Sequence, residues 1–309
     1  MTNSTSRSTA HPGPIILAGA TGALGQRIAF HLLQRGAAVR ALVRLGSASP
    51  AIDLLRRQGA SIVEADLNSI TSLMAACEGG SCVVSALSGL REVIVGGQSR
   101  LLKAALATQV PRFIPSDFCI DYTRLPEGSN RNLDLRREFN LELDKAPIQA
   151  TSILNGMFTD LLSGQAPVVL AGPRRVLYWG SADQLMDFTT TENTAEFTAA
   201  VALDPGTPRY LRIAGQEASI RDLQQAATEA TGQPYKLLRM GSLGAFGLMI
   251  KVTRTLFPQS REVFPAWQGM QYLHNMFGGL PKLQPLDNAR YPEIRWTPVR
   301  EVLATRESN

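Results

Sequence analysis

Ile15-Ile16-Leu17-Ala18 runs directly into Gly19-Ala20-Thr21-Gly22-Ala23-Leu24-Gly25, and Ala41-Leu42-Val43-Arg44 follows after a helix-length interval. Within that interval Leu24, Ile28, Leu32 and Leu33 recur at helical spacing, and Gly36 ends the pattern. A short apolar strand, a glycine-rich turn, a helix and a second strand form the first βαβ unit of a dinucleotide-binding fold. Each glycine answers a physical demand. Gly19 lets the chain turn sharply off the strand, Gly22 keeps a side chain out of the path of a pyrophosphate, and Gly25 lets the helix lie close to the sheet. Thr21, Ala23 and Leu24 complete the turn, whose amides at the helix N-terminus would face the phosphates. The spacing is Gly-x-x-Gly-x-x-Gly, so the strand–turn–helix context, more than the glycines alone, carries this reading.

Arg44 bears on the kind of dinucleotide. An NAD site usually carries an acid about 20 residues beyond the fingerprint, bonded to the ribose 2′-hydroxyl. Here an arginine ends the second strand, with Arg40 earlier on the same strand face. A guanidinium can bond a 2′-phosphate with a planar fork of donors, which points to NADP(H). The competing reading of Arg44 is a solvated arginine at a strand end.

Strands and helices then alternate with short connections. A helix is expected over Pro50–Gln58, a strand over Ser61–Ala65, a helix over Ser69–Cys77 and a strand over Cys82–Ala86. A helix over Gly97–Gln109, a strand over Arg112–Pro115, a helix over Leu133–Leu143 and a sixth strand over Gln149–Leu154 follow. That order implies an α/β Rossmann fold, a doubly wound parallel sheet. Ligands of such sheets bind at the carboxyl ends of the strands, which nominates Asp66 and Leu67, then Ala86, Leu87 and Ser88, then Pro115, Ser116 and Asp117, and finally Asn155 and Phe158. Asp66 is placed to accept from an adenine amino group, with Leu67 against the base; a turn or helix-start role fits Asp66 equally well. Leu87, Ser88, Ser116, Asn155 and Phe158 would wall the nicotinamide.

Beyond Asn155 the pattern changes. Val168–Ala171 and Arg175–Trp179 around Gly172-Pro173 read as a hairpin, Asp187–Thr190 as an extended piece, and Thr191–Leu203 as a helix. A strand over Tyr210–Ala214 and a helix capped by Ser219 and Asp222, ending at Gly232, come next. The tail carries Phe246, Met249, Phe257, Phe264, Trp267, Met270, Tyr272 and Phe277, which suits either a substrate-facing lobe or an ordinary core. The expected organisation is a leader over 1–13 that is Ser/Thr-rich and disordered, an NADP-binding Rossmann domain over 14–156, and a smaller, intertwined α+β substrate lobe over 157–309.

The 309 residues are 44% hydrophobic, ample for a sizeable core, and carry a net charge of +5. The basic residues are scattered, with pairs at Arg56-Arg57, Arg136-Arg137 and Arg174-Arg175 and no polybasic tract. The charge therefore reads as solubility and attraction for an anionic cofactor, not as a nucleic-acid footprint. Cys77, Cys82 and Cys119 lack CxxC spacing, and His11, His31 and His274 are dispersed, so neither a disulfide framework nor a metal site is expected and a cytoplasmic setting is. The longest apolar run, Leu243 to Ile250, is far short of a membrane span.

Together these residues resemble the NmrA-like and isoflavone reductase-like branch of the atypical short-chain dehydrogenase/reductases. The likeness covers roughly Pro14 to Ala230. It rests on Gly19–Gly25, on the arginine ending the second strand, on Arg112-Phe113-Ile114-Pro115-Ser116-Asp117-Phe118, which is similar to the family's Arg-Phe-x-Pro-Ser-Glu-Phe segment, and on Asp187-Phe188-Thr189-Thr190 before an alanine-rich helix. The resemblance implies NADP(H) as cofactor. Reductases of the family place a lysine on the helix after the Ser-Glu-Phe segment, and the matching position here is Arg136. Arginine keeps its proton at any ordinary pH, so Arg136 can polarise a carbonyl or hold an anion but cannot act as a base. Lys103 and Lys145 lie elsewhere and are no natural substitutes. The Tyr-x-x-x-Lys pair of the ordinary short-chain enzymes is missing too; Tyr122 is the nearest phenol to the active edge. Asp117 is either an acid/base or the cap of the loop after the fifth strand.

Two functions follow. One is an NADPH-dependent oxidoreductase passing hydride to a small, flat, apolar acceptor such as a quinone or enone, with Arg136 and Tyr122 contacting the acceptor. The other, implied by the regulatory members of the family, is a non-catalytic NADP(H) sensor acting through a protein partner. Leu125 to Arg131, rich in Pro, Gly, Ser and Asn, reads as a candidate lid over the site.

Overall fold

The computed structural model describes residues 13–305; the expected leader falls almost wholly outside the described residues. β1 (Ile15–Ala18) is buried along its whole length and leads into α1 (Ala23–Gln34). β2 (Val39–Val43), α2 (Pro50–Arg57), β3 (Ser61–Glu64), α3 (Ile70–Cys77) and β4 (Cys82–Ser85) continue the alternation. Ser49 and Ser69 cap α2 and α3 by accepting from Ile52 and Ser72 amides, which explains where both helices begin. A π-helical segment, Glu92–Gly97, precedes α4 (Gln98–Ala107), so the winding starts well before the expected Gly97. β5 (Arg112–Ile114) leads through a long loop to α5 (Arg131–Leu143), which begins earlier than expected because the Asn130 side chain accepts from the Leu133 amide.

The central sheet has six strands in the order β3-β2-β1-β4-β5-β6, with β6 at Gln149–Ala150. All its pairings are parallel, in the registers Ile15↔Val39, Ile15↔Cys82, Val83↔Phe113 and Arg112↔Gln149. Adjacent residues of β1 separate the two layers, as strand alternation requires. Ile16 packs with Leu73 of α3, Leu101 of α4 and Phe139 of α5 on one face. Ile15 and Leu17 pack with Ile28 and Leu32 of α1 and Leu55 of α2 on the other.

The expected sixth strand is split. After Thr151, whose amide bonds the Phe113 carbonyl, the chain leaves β5, and the Ser152 amide bonds Arg209 instead. β7 (Ser152–Leu154) is therefore partnered on its far side by a later strand. β8 (Met157–Phe158), β9 (Val169–Leu170) and β10 (Arg175–Trp179) follow, β9 and β10 forming the expected hairpin. β11 (Met186–Thr189) ends at Thr190, which caps α6 (Thr191–Leu203). α6 supplies Phe197 and Val201 to the face already lined by α1. β12 (Tyr210–Arg212) then pairs in parallel with β7. Residues beyond 156 thus complete the nucleotide-binding half.

β13 (Gln216–Ala218), α7 (Ile220–Thr231), β14 (Lys236–Gly241), α8 (Leu243–Leu256), α9 (Ala266–Phe277) and α10 (Val299–Thr305) finish the described chain. Ser219 and Asp222 form the expected capping box on α7. The tail aromatics divide: Phe246, Trp267 and Phe277 are buried, with Trp179 stacked on Phe246 at 4.0 Å and Phe277 beside them, whereas Phe257 and Phe264 are exposed. That core also takes in Cys119, Ile120, Tyr122 and Leu125 from the loop after β5. Among the described residues no helix is long and apolar enough to cross a membrane, and no cluster of three or more His, Cys, Asp or Glu is placed to hold a metal ion.

Candidate functional site

The turn between β1 and α1 is shaped by contacts that leave no room for side chains. Gly19 has φ +78°, and a Cβ there would lie 2.4 Å from the Ala86 carbonyl oxygen. A Cβ on Gly25 would lie 2.1 Å from the Gly19 carbonyl oxygen, so these two glycines are required by the fold itself. Gly22 differs. It is the N-cap of α1 with ordinary φ −75°, no side chain caps the helix, and a Cβ there would meet only the Gly19 oxygen, at 3.4 Å. The first-turn amides of α1, including those of Ala23 and Leu24, are thus left open, with Thr21 exposed beside them. An uncapped helix N-terminus with no acid in its first turn, reached over a bare glycine, fits the pyrophosphate of a dinucleotide.

Arg44 stands exposed just past β2 and makes no side-chain hydrogen bond or ion pair with any described residue. Arg40 is committed elsewhere: Nη1 donates to the carbonyls of Ala76, 2.7 Å, and Glu78, 2.9 Å, closing the end of α3. Across the loop, Glu64 accepts from the Gly46 amide at 3.2 Å. Asp66 is engaged in its own turn, Oδ1 accepting from the Asn68 amide at 2.9 Å, so the turn role it was offered as an alternative is present here. Leu67 is fixed through its carbonyl, which accepts from Arg100 Nε at 2.6 Å.

Ala86, Leu87 and the exposed Ser88 lie at the carboxyl end of β4. Ser116, after Pro115, donates from Oγ to the Leu87 carbonyl at 2.6 Å and from its amide to Gln98 Oε1 at 2.9 Å. Gln98 is fully buried and also donates to the Ile94 carbonyl within the π-helical segment. A glutamine between Gly97 and an ordinary amphipathic helix carries no signal of this bridging role. Asn155 is buried, with Nδ2 donating to Thr194 Oγ1 at 3.3 Å and its amide to the Cys119 carbonyl at 3.0 Å. Phe158 is half-buried against the α1–α6 face.

The structure brings Asp117, Tyr122 and Arg136 together, but in a buried cluster. The Asp117 carboxylate is wholly buried, and its Oδ2 accepts from Tyr122 at 3.1 Å, Asn140 at 2.8 Å and Ser152 at 2.7 Å. Arg209 extends this network to Ser152, Asn140 and Asp144. Burial raises the Asp117 carboxyl above the usual range despite these bonds and the nearby Arg136 and Arg209 charges. Tyr122, expected at the active edge, is 2% exposed, and burial drives its phenol far above its ordinary range. The correction has a physical cause: a phenol drawn into the lobe core must find an acceptor, and Asp117 is that acceptor. Asp117 thereby ties the loop after β5 to α5 and β7.

Arg136 Nη1 donates to Asn132 one helical turn back, at 2.9 Å, and its buried Nε has no acceptor among the described residues. Burial disfavours its charge, yet Tyr272, Cys119, Asp117 and Tyr122 around it more than offset this and push it up. Tyr272 of α9 is the neighbour that sequence reading placed only in an aromatic tail. The candidate lid is tied at several points: Arg137 donates to the Tyr122 and Leu125 carbonyls, the Gly128 amide to Asp134, and Asn130 is bonded to Gln268 and Asn275 of α9.

A sequence profile described as the NmrA-like family matches residues 13–240. The chain belongs to the NmrA-like family. Among curated proteins this NmrA-like chain is similar to pinoresinol reductase 2 of Arabidopsis thaliana, 29% identical over 208 residues, covering 62% of this chain and 65% of the relative. The matched stretch therefore spans a little under two thirds of that relative's length. Among solved structures it superposes on leucoanthocyanidin reductase of Vitis vinifera with NADPH at TM-score 0.81, 20% identity, covering 96% of this chain and all of the other (100%). A complex of AtPrR2 with NADP+ and (+)-pinoresinol gives TM-score 0.79 at 22% identity, covering 95% of this chain and 98% of the other. These structural likenesses establish the shared α/β architecture of this NmrA-like protein.

Proposed function

We propose that this protein is an NADPH-dependent reductase that passes hydride to a small, flat acceptor such as a quinone or an enone. The observation that carries the reading is the pairing of an uncapped α1 N-terminus, bare at Gly22, with an exposed Arg44 at the end of β2 that has no side-chain partner among the described residues. The reductase activities named for the curated relatives, pinoresinol reductase and phenylcoumaran benzylic ether reductase, support it.

In this reading Gly19, Gly22 and the α1 amides hold the pyrophosphate and Arg44 the 2′-phosphate. Leu67 borders the adenine, while Leu87, Ser88 and Ser116 border the nicotinamide. When bound, the reduced cofactor supplies the hydride. Arg136 acts by charge: it keeps its proton, and its field favours negative charge developing near the loop after β5. Asp117 and Tyr122 are positioning residues: the Tyr122 hydroxyl donates to Asp117 Oδ2, which also holds Asn140 and Ser152, while Asp117 Oδ1 is buried with no partner among the described residues. The proton follows from solvent.

The test is a titration of the cofactor-free protein with NADPH and NADH, followed by NADPH consumption with a panel of quinones and enones. Preferential NADPH binding with turnover of at least one acceptor is expected. Tight NADPH binding with no turnover on any acceptor would turn the reading toward a regulatory NADP(H)-binding protein.

A further inference from the structure

A cavity of about 700 Å³ opens between α5, the residues just before the π-helical segment and the end of α8. Arg131, Asp134, Leu135 and Glu138 form its α5 wall, a stripe at i, i+3, i+4 and i+7 that leaves Arg136 on another face. Most of the charges in this wall are already satisfied. Glu138 is paired with Arg91, Arg137 donates to two loop carbonyls, and Asp134 accepts from the Gly128 amide.

Arg131 and Arg254 are the exceptions. Their guanidinium carbons lie 4.7 and 5.0 Å from the centre of the same indole, that of Trp267. Arg131 is braced by the carbonyls of Glu262 and Val263 and by Asn132 Oδ1, which orient it without neutralising it. Neither arginine makes an ion pair with any described carboxylate, and Glu127, the remaining acid of the wall, is exposed and reaches neither. Both arginines line the cavity, and two like charges gathered at one wall favour an anion beside them. The rest of the wall includes apolar surface from Leu90, Leu135 and Leu141.

We propose that this cavity binds a carboxylate-bearing ligand, its apolar body against Leu90, Leu135 and Leu141 and its carboxylate held by Arg131 and Arg254. Leu90 follows closely on Ala86-Leu87-Ser88 in sequence, but α5 turns Arg136 to another face, so the anion site stands independently of the reductase reading. The π-helical segment beside it supports a functional wall, since such windings are concentrated at functional sites.

The experiment is calorimetric titration of the full chain with trans-cinnamate and with its neutral methyl ester. Cinnamate is expected to bind at least tenfold more tightly than the ester and to weaken as salt rises. Arg254→Gln, at an exposed position, is expected to bring cinnamate down to the level of the ester with the unfolding midpoint unchanged. Equal affinities, no binding of either compound, or cinnamate binding untouched by R254Q would overturn the proposal. NADPH consumption with cinnamate and the acceptor panel is followed separately: binding without any turnover would overturn the reductase reading and leave the anion site standing.

Discussion

Ser116 Oγ donates to the Leu87 carbonyl at 2.6 Å, joining the loop after β5 to the loop after β4 where both reach the carboxyl edge of the sheet. Both loops are proposed to wall the nicotinamide, so this bond sets the width of that end of the cleft. Ser116→Ala should lower stability by about 1 kcal/mol, the net worth of a neutral hydrogen bond. It should also weaken NADPH several-fold. Chemical denaturation and calorimetry check both; unchanged affinity would mean that the clasp serves the fold alone.

The glycines of the first turn should separate by role. Gly25→Ala forces a Cβ against a backbone oxygen and should cost about 1–3 kcal/mol. Gly22→Ala has an allowed backbone and should cost less than about 1 kcal/mol, the order of an N-cap preference. Its expected effect is on NADPH affinity, which should fall at least tenfold. Thermal melts paired with cofactor titrations test the contrast.

Arg44 and Arg40 should separate likewise. Arg44→Ala removes a side chain with no partner among the described residues, so stability should hold while NADPH weakens by about 1.5–3 kcal/mol, a charged hydrogen bond's worth, and NADH is unaffected. Arg40→Ala unties the end of α3 and should cost about 1 kcal/mol of stability with little change in NADPH binding. Equal weakening of NADH and NADPH by Arg44→Ala would remove it from the 2′-phosphate.

Asp117 makes stability depend on pH in a particular direction. Burial raises its carboxyl in the folded state above the ordinary 3.8, so the folded protein holds a proton that the unfolded chain has lost. Its contribution is fully present below the unfolded value and is lost as pH rises through the folded one. The difference in unfolding free energy between wild type and Asp117→Asn should therefore shift in favour of the variant as pH increases, then level off. Urea titrations from about pH 4 to about pH 8 would show this, and a difference that does not vary with pH would mean the two states share one ionisation there.

How much of this was legible in the sequence depends on whether a residue's role is local. The β1–α1 turn, the parallel alternation, the Ser219–Asp222 cap and the family were readable because period, glycine spacing and capping chemistry act over a few residues. The fate of Tyr122 was not. A phenol beside a predicted active edge looks available until a lobe more than 100 residues later supplies the core that buries it. The π-helical start of α4 escaped because Glu92–Gly97 contains two glycines and reads as loop. Arg254 and Trp267 escaped because only tertiary packing sets an α8 arginine and an α5 arginine against one ring.

The change of partner at Thr151 has a consequence for how the chain can be divided. One strand serves β5 with its first residues and β12 with its last, and α6 covers α1 from beyond that junction. A truncation at 156 would strip a helix from an apolar sheet face and expose the edge of β7, a template for aggregation. The nucleotide-binding half is therefore not a transplantable module: fusions, split reporters and isotope-labelled fragments should keep everything through β12, and insertions are better tolerated in the exposed stretch 257–261 after α8 than at the apparent boundary.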